Sequence, residues 1–494
     1  MSKTRLGKVV GHSVKVNDTE TSSVTASDGL TFSQSDDVGS LSADFSVLQE
    51  KLEGLPNQVV GFDANGDPTP VPIGYELYGF ELDLDEPEPT SKIRYIAQNA
   101  GFEPAHMDYT NGVFDYGDWS EAWFIKGIRP CMLKYDGTVA YDLKKDDYTK
   151  KADGTASDVA DDTFNGNAMV GIPTVWIKVD TRVARKPKFY FSNTKLDETF
   201  KAYAHHDDNG NIMPYTYMPI YNGWVDSIGR LRSISGKAPT ADQTFTLQIT
   251  EARANNPDEV TCWDIEKFVD RQLINLLLLM IGKSTDTQTV FGYGNSGSTP
   301  SSAADSRGVL PTGTMNTSGL FSGADSDPGN TGVKVFGMEH YWGNLWRRQM
   351  GLILSSGVPY YKLTKDTSDG SEVNVFDPSV IEPNAGAPTG WIRGGTISGG
   401  TQSGSSVFSG IIVDMYAGEF GLMQKTVASG NSDTNFCDMS WRNTDGNKIC
   451  LFGGNFGSLA INGAFITSLS NISTDHSWSH SACISCKPNV PPPR

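Results

Sequence analysis

The run Leu451–Phe465, LFGGNFGSLAINGAF, constrains the fold more than any other part of this 494-residue chain. Gly453-Gly454 and Gly463-Ala464 supply positive φ or close backbone approach, so the chain can fold back and carry the intervening side chains on one face. From Trp441 to Cys486 large residues (Trp441, Leu451, Phe465, Leu469, Trp478) alternate with small polar ones (Asn455, Ser458, Asn462, Ser468, Asn471, Ser473, His476, Ser477, Ser479). Short, adaptable donors and acceptors in a stiff apolar frame are the composition of binding loops. The pattern predicts a recognition surface and not a catalytic centre.

A formal net charge of −18 argues against a nucleic-acid partner, which needs a concentrated basic surface. The basic pairs Lys144-Lys145, Lys150-Lys151 and Arg347-Arg348 are flanked by acids or aromatics and read as solvated surface. Fifty-two glycines with only 20% charged residues suit a β-rich protein with long loops. Lys3, Arg5 and Lys8 precede no apolar stretch, so no secretion signal is expected. The longest apolar run, Leu273–Ile281, is nine residues and too short to insert across a membrane. The expectation is a product made in the cytoplasm that leaves by lysis or assembly. Six cysteines are too sparse for a disulfide scaffold, so buried reduced thiols are expected.

Residues 1–40 are polar, with little core of their own. Phe45, Leu48, Leu52 and Leu55 fall at helical spacing, a short helix ended by Gly54 and Pro56 that could serve oligomerisation. Gln58 to Pro72 reads strand, turn, strand; the acidic, Pro-containing stretch Asp83–Pro89 reads as a linker, which puts a boundary near residue 90. Ala168–Val179 alternates as a half-buried strand, with Lys188–Ser192 as hairpin partner. One long helix is predicted from Asp264 to Ile281, capped by Thr261, stopped at Gly282 and buried on one side. Gly292–Gly332 has the composition of a long inserted loop.

Glu339, Trp342-Gly343-Asn344-Leu345-Trp346 and the later Leu451-Phe452-Gly453-Gly454 to Gly463-Ala464-Phe465 resemble the formylglycine-generating-enzyme branch of the C-type lectin fold. More narrowly, residues 451–478 are similar to the displayed end of bacteriophage tail and receptor-binding proteins, including those diversified by retroelements. The similarity extends upstream through Tyr116-Gly117-Asp118-Trp119-Ser120, Asn165–Met169, Lys201–His205 and Phe291–Gly294. It implies an α+β, C-type lectin-like fold with long loops, preceded by a polar N-terminal arm, a short helix and a small β-rich segment. Three regions are expected: an attachment arm with its helix (1–56), a β-rich linker segment (57–110) and the lectin-like domain (111–490) with its patch at 441–486.

On this resemblance the chain would be a phage adhesin, a tail fibre or baseplate protein of the virion, of the kind that retroelements diversify, rather than an enzyme. Its partners would be a bacterial surface receptor, protein or glycan, and other tail proteins bound through the N-terminus, in a homotrimer. The receptor-binding residues would be Asn455, Phe456, Ser458, Leu459, Ile461, Asn462, Ile466, Ser468, Asn471, Ser473, His476, Ser477 and Ser479, on a framework of Trp441, Gly453, Gly454, Gly463, Phe465 and Trp478. Phe456, Leu459 and Ile461 are either exposed anchors or a small loop core.

Other chemistry is less well supported. Cys483-x-x-Cys486 could be a redox pair or half a zinc site, but Cys437 and Cys450 make a poor second half. His205-His206-Asp207-Asp208-Asn209-Gly210-Asn211 reads better as a turn than as a cation loop, which would need a terminal acid. Glu339-His340 could form an acid–base pair, but no nucleophile or second carboxylate can be tied to it. No catalytic residue, cofactor or metal is therefore assigned. The alternatives are a purely structural tail component and a thiol or metal enzyme on the same fold.

Overall fold

The computed structural model describes residues 74–207, 210–258, 260–297, 308–325, 331–363, 391–419, 421–430 and 433–488 with their side chains, and the backbone of five strands between residues 24 and 72. The chain divides into two units, Met1–Tyr75 and Glu76–Arg494. In the first, Val24–Thr25, Leu30–Ser35 and Val38–Ala43 form an antiparallel sheet, and Gln58–Phe62 pairs with Pro68–Pro72 in the expected hairpin, Gln58 opposite Pro72. The helix read over Phe45–Leu55 lies outside the described residues. The stretch 57–110 is shared between the two units and is not one linker segment. Asp83–Pro89 merely connects Leu77–Leu82 to Ile93–Ala97, two paired strands of one sheet, so the boundary near residue 90 is corrected to Tyr75/Glu76.

The second unit is strand-rich. A seven-stranded sheet runs in the order Asp147–Lys151, Val139–Lys144, Arg129–Lys134, Gly166–Pro173, Tyr215–Pro219, Ile484–Cys486 and Trp263–Ile265. The half-buried strand read over 168–179 is two elements broken at Thr174. Gly166–Pro173 is buried on both faces inside this sheet. Trp176–Asp180 is the half-buried piece and pairs with Lys188–Ser192 as expected. A larger sheet contains Trp346–Ser355, Asn447–Phe452, Thr467–Asn471, Met439–Asn443 and Val407–Gly418 as successive neighbours.

Helices among the described residues are few: α1 (Trp123–Lys126), α2 (Phe245–Arg253), α3 (Phe268–Gly282) and α4 (Thr287–Phe291). The predicted start of α3 is corrected by four residues, because Asp264 and Ile265 are drawn into a strand opposite Ser485 and Ile484. That pairing is invisible to local spacing. The Asp270 carboxylate accepts from the Lys267 N–H at 3.2 Å at the true N-terminus, and Lys283 closes the helix at φ +50°. All fifteen residues of α3 are buried, not one face of it. No helix among the described residues is long and apolar enough to cross a membrane.

Burial on every side forces the polar residues of α3 to find partners inside. Asp270 pairs with Lys487 at 2.7 Å, while Arg271 and Asn275 reach the C-terminal loops described below. The Arg347-Arg348 pair, read as solvated surface, is also buried. Arg347 faces Glu266 at 3.4 Å, and Arg348 donates to Gln248 at 2.7 Å.

Candidate functional site

The C-terminal stretch is anchored in both large sheets. Thr467–Asn471 lies between Asn447–Phe452 and Met439–Asn443, with Ser468 opposite both Leu451 and Trp441. His480–Ala482 then pairs in parallel with Trp346–Arg348, and Ile484–Cys486 enters the seven-stranded sheet between Tyr215–Pro219 and Trp263–Ile265. Two loops emerge from this anchorage, 453–462 and 471–479.

Side chains distant in sequence hold the backbone of the first loop and its return strand. Arg271 donates to the carbonyls of Ala464 and Ile466, both at 2.8 Å, and Asn275 donates to Ala464 O at 2.8 Å. Gln288 donates to the Asn462 carbonyl, and Thr287 Oγ1 accepts from Ala464 N–H at 3.0 Å. The Asp438 carboxylate accepts from Phe465 N–H at 2.7 Å and also from Gly463 N–H. Burial pushes its pKa up to about 8, against the opposing pull of those two N–H groups. On the other side, Phe456 N–H donates to Asn344 O at 3.1 Å and Leu459 N–H to Ser296 O at 2.7 Å.

Glycine is required where the loop turns. Gly453 and Gly454 have φ of +85° and +65°, and a Cβ on Gly454 would run into the Asn462 amide. That amide, oriented to satisfy both its ends, donates to Gly453 O at 2.7 Å and accepts from Gly343 N–H at 3.1 Å. The Trp342-Gly343-Asn344 motif is thus a brace beneath the loop. Asn344 itself, at φ +65°, bonds Leu310 N–H at 2.8 Å and Asn222 at 3.0 Å.

The second loop rests on the approach to α2. Phe245 N–H donates to Ser473 O and Asp242 N–H to Ser477 O, both at 2.9 Å. Arg348 bridges the carbonyls of Gln243 and Asp475 from below. His476 Nδ1 lies 2.8 Å from the Asp242 carboxylate at the surface. Phe456 and Trp478 join the two loops, their rings 5.1 Å apart.

The thirteen expected binding residues separate by exposure. Leu459 is 56% exposed and His476 is exposed, whereas Asn455, Ser458, Ile461, Asn471, Ser473 and Ser477 are half-buried. Phe456, Asn462, Ile466, Ser468 and Ser479 are buried, so their assignment as displayed residues is corrected. Each has an internal task. Asn462 satisfies two backbone groups, Phe456 covers Gly308 and packs on Trp478, and Ile466 fills the core. Ser468 is in a strand flanked on both edges, and the Ser479 carbonyl accepts from Trp346 N–H at 2.9 Å. Of the framework residues, Gly453, Gly454, Gly463 and Phe465 are buried, while Trp441 and Trp478 are half-buried.

Sequence reasoning missed Ile472, Thr474, Asp242, Thr246 and Leu247, all exposed around the second loop. Ile472 and Thr474 sit between positions already singled out and could have been found. Asp242, Thr246 and Leu247 carried no signal, because only tertiary structure brings them to a loop more than 220 residues later.

The remaining candidates lie outside the two loops. The Glu339 carboxylate accepts from Gly313 and Met315 N–H groups and from Thr314 Oγ1, pinning residues 313–315 of the expected inserted loop. Burial drives Glu339 up and its neighbour Lys334 down. His340 is buried without a hydrogen-bond partner on either ring nitrogen, and desolvation holds its pKa down to about 3. At the turn after His206, Gly210 N–H closes on Asp207 O at 3.0 Å. All six cysteines are buried free thiols; desolvation raises Cys483 to about 11 and Cys450 to about 12. Among the described residues no group of three or more His, Cys, Asp or Glu side chains is placed to hold a metal ion.

No protein-family model matches the chain, and no curated protein matches it.

Proposed function

We propose that the chain is a bacteriophage receptor-binding protein that recognises a bacterial surface through loops 453–462 and 471–479. The observation that carries this reading is the division of labour at the C-terminus. Buried side chains from outside both loops hold the end of the first loop and its return strand (Gln288, Arg271, Asn275, Asp438) and the second loop (Arg348), and the Asn344 carbonyl holds Phe456 N–H, leaving Leu459, Ile472, Thr474 and His476 exposed. A backbone held this way binds without first ordering itself. The motifs in 339–346 and 451–465 support a C-type lectin-like fold, and residues 1–56 are assigned to virion attachment. Trimeric display at a tail tip would turn weak single contacts into tight adhesion through effective concentration.

Competition tests the reading. Purified full-length protein should block adsorption of the parent phage to its host in a dose-dependent way; undiminished adsorption at saturating protein would overturn it. Diversification is a separate matter. A near-copy of the 441–486 coding segment that differs at adenines, beside a reverse-transcriptase gene, is the expected neighbourhood, and without one the protein is an adhesin of a single specificity.

A further inference from the structure

The receptor-binding reading leaves the chemistry of the partner open, and the charge pattern of the site narrows it. From Ile449 to Cys486 there is no Lys or Arg, and Asp475 is the single carboxylate, in a chain where 20% of residues are charged. From Ala238 to Thr250 the single charged side chain is Asp242. Both carboxylates are engaged locally: Asp475 accepts from Ile472 N–H at 2.9 Å, and Asp242 faces His476 at 2.8 Å.

Exposed aliphatic groups occur on the same segments. Six large hydrophobic side chains are exposed among the described residues, and three of them are Leu247 at 45% in the first turn of α2, Leu459 at 56% in the first loop and Ile472 at 41% in the second. Leu247 is two residues past the Phe245 N–H that bonds Ser473 O, and Ile472 immediately precedes that serine, so the first turn of α2 is continuous with the second loop. Of the two rings of the site, Phe456 is buried and Trp478 is half-buried against it, so neither presents a fully open face for a sugar ring to stack on. A phosphate- or uronate-bearing glycan is held by Lys or Arg forks. These segments carry none, and the net charge of −18 would repel a polyanion.

We infer that the site takes an uncharged, apolar polypeptide surface, and that α2 contributes Leu247 to it as a specificity residue. Aliphatic groups inside a neutral hydroxyl and amide rim suit protein–protein association, with affinity carried by burial and not by charge. The inference rests on the receptor-binding reading, and the experiment separates the two.

Labelled full-length protein is bound to host cells that are untreated, stripped with protease, or oxidised with periodate, each at low salt and at about 0.5 M salt, where exposed charges are screened within a few ångströms. Leu247→Glu is compared with Val183→Glu, an exposed aliphatic position outside the site, both checked for native melting. The expected result is loss of binding after protease, survival after periodate and less than about twofold change with salt. Leu247→Glu should weaken binding by about tenfold or more, the scale of a contact residue, and Val183→Glu should leave it unchanged. Loss after periodate with survival after protease, a fall of more than about tenfold with salt, or equal behaviour of the two variants would overturn the inference. If the folded protein binds no untreated host cell, it is the receptor-binding reading that fails.

Discussion

Asp438 behind the first loop makes stability depend on pH in a direction opposite to the usual carboxylate. Its folded pKa is raised to about 8 by burial, from the ordinary 3.8. Between those values the folded chain keeps the proton and the unfolded chain has lost it. The contribution to stability is therefore fully present below about pH 4, is eroded as pH rises to about 8, and changes no further above that. At about 1.4 kcal/mol per pH unit, the erosion amounts to at most about 6 kcal/mol across the window. Asp438→Asn stays neutral throughout and retains an acceptor for Phe465 N–H. Other groups titrate over the same range, including Glu266, which burial raises to about 7, and His480, which burial lowers to about 4. Comparing variant with parent cancels them. Urea unfolding followed by tryptophan fluorescence from pH 4 to pH 8 should show the variant gaining on the parent with each step. A gap that is constant over this range would mean the Phe465 and Gly463 N–H groups balance the burial penalty on the carboxylate, and one that closes as pH rises that they exceed it; either would refute the reasoning.

Arg271→Met should cost about 3 kcal/mol or more, because the Ala464 and Ile466 carbonyls lose a buried charged donor; urea midpoints and faster amide exchange in the strand after residue 464 would register it. Gly454→Ala should be destabilising, since it combines φ +65° with a collision against the Asn462 amide, and thermal melting would measure the loss. Asn462→Ala should cost about 1 kcal/mol by removing the amide's two hydrogen bonds, since Gly343 N–H and Gly453 O still bond each other at 2.6 Å. Leu459→Ser, at an exposed position, should change stability by no more than about 0.5 kcal/mol by the same melting assay.

Local patterns were legible where local physics decides the outcome. The hairpin 58–72, the pairing of 176–180 with 188–192 and the glycine turn at 453–454 follow from turn chemistry and alternation. The start of α3 was not legible, because pairing with residues 484–486 claimed Asp264 and Ile265 for a strand. The stretch 441–486 reads too evenly in sequence, since five of its thirteen expected displayed residues are buried. A small polar residue on a loop looks the same in sequence as one that braces a buried turn or sits in an interior strand, which is why spacing alone does not separate Asn462 and Ser468 from displayed side chains. Arg347 and Arg348 misled for the same reason, since a buried guanidinium with carbonyl and carboxylate partners leaves no local trace of its burial.

The central claim concerns which side chains meet the receptor. Host-cell binding by a variant carrying Leu459→Asp, Ile472→Asp and His476→Ala together measures it most directly, with a melting curve taken on the same preparation. The account predicts native melting and binding reduced to background, because all three positions are exposed and none holds the frame. Native melting with undiminished binding would contradict it and move the recognition surface elsewhere on the protein.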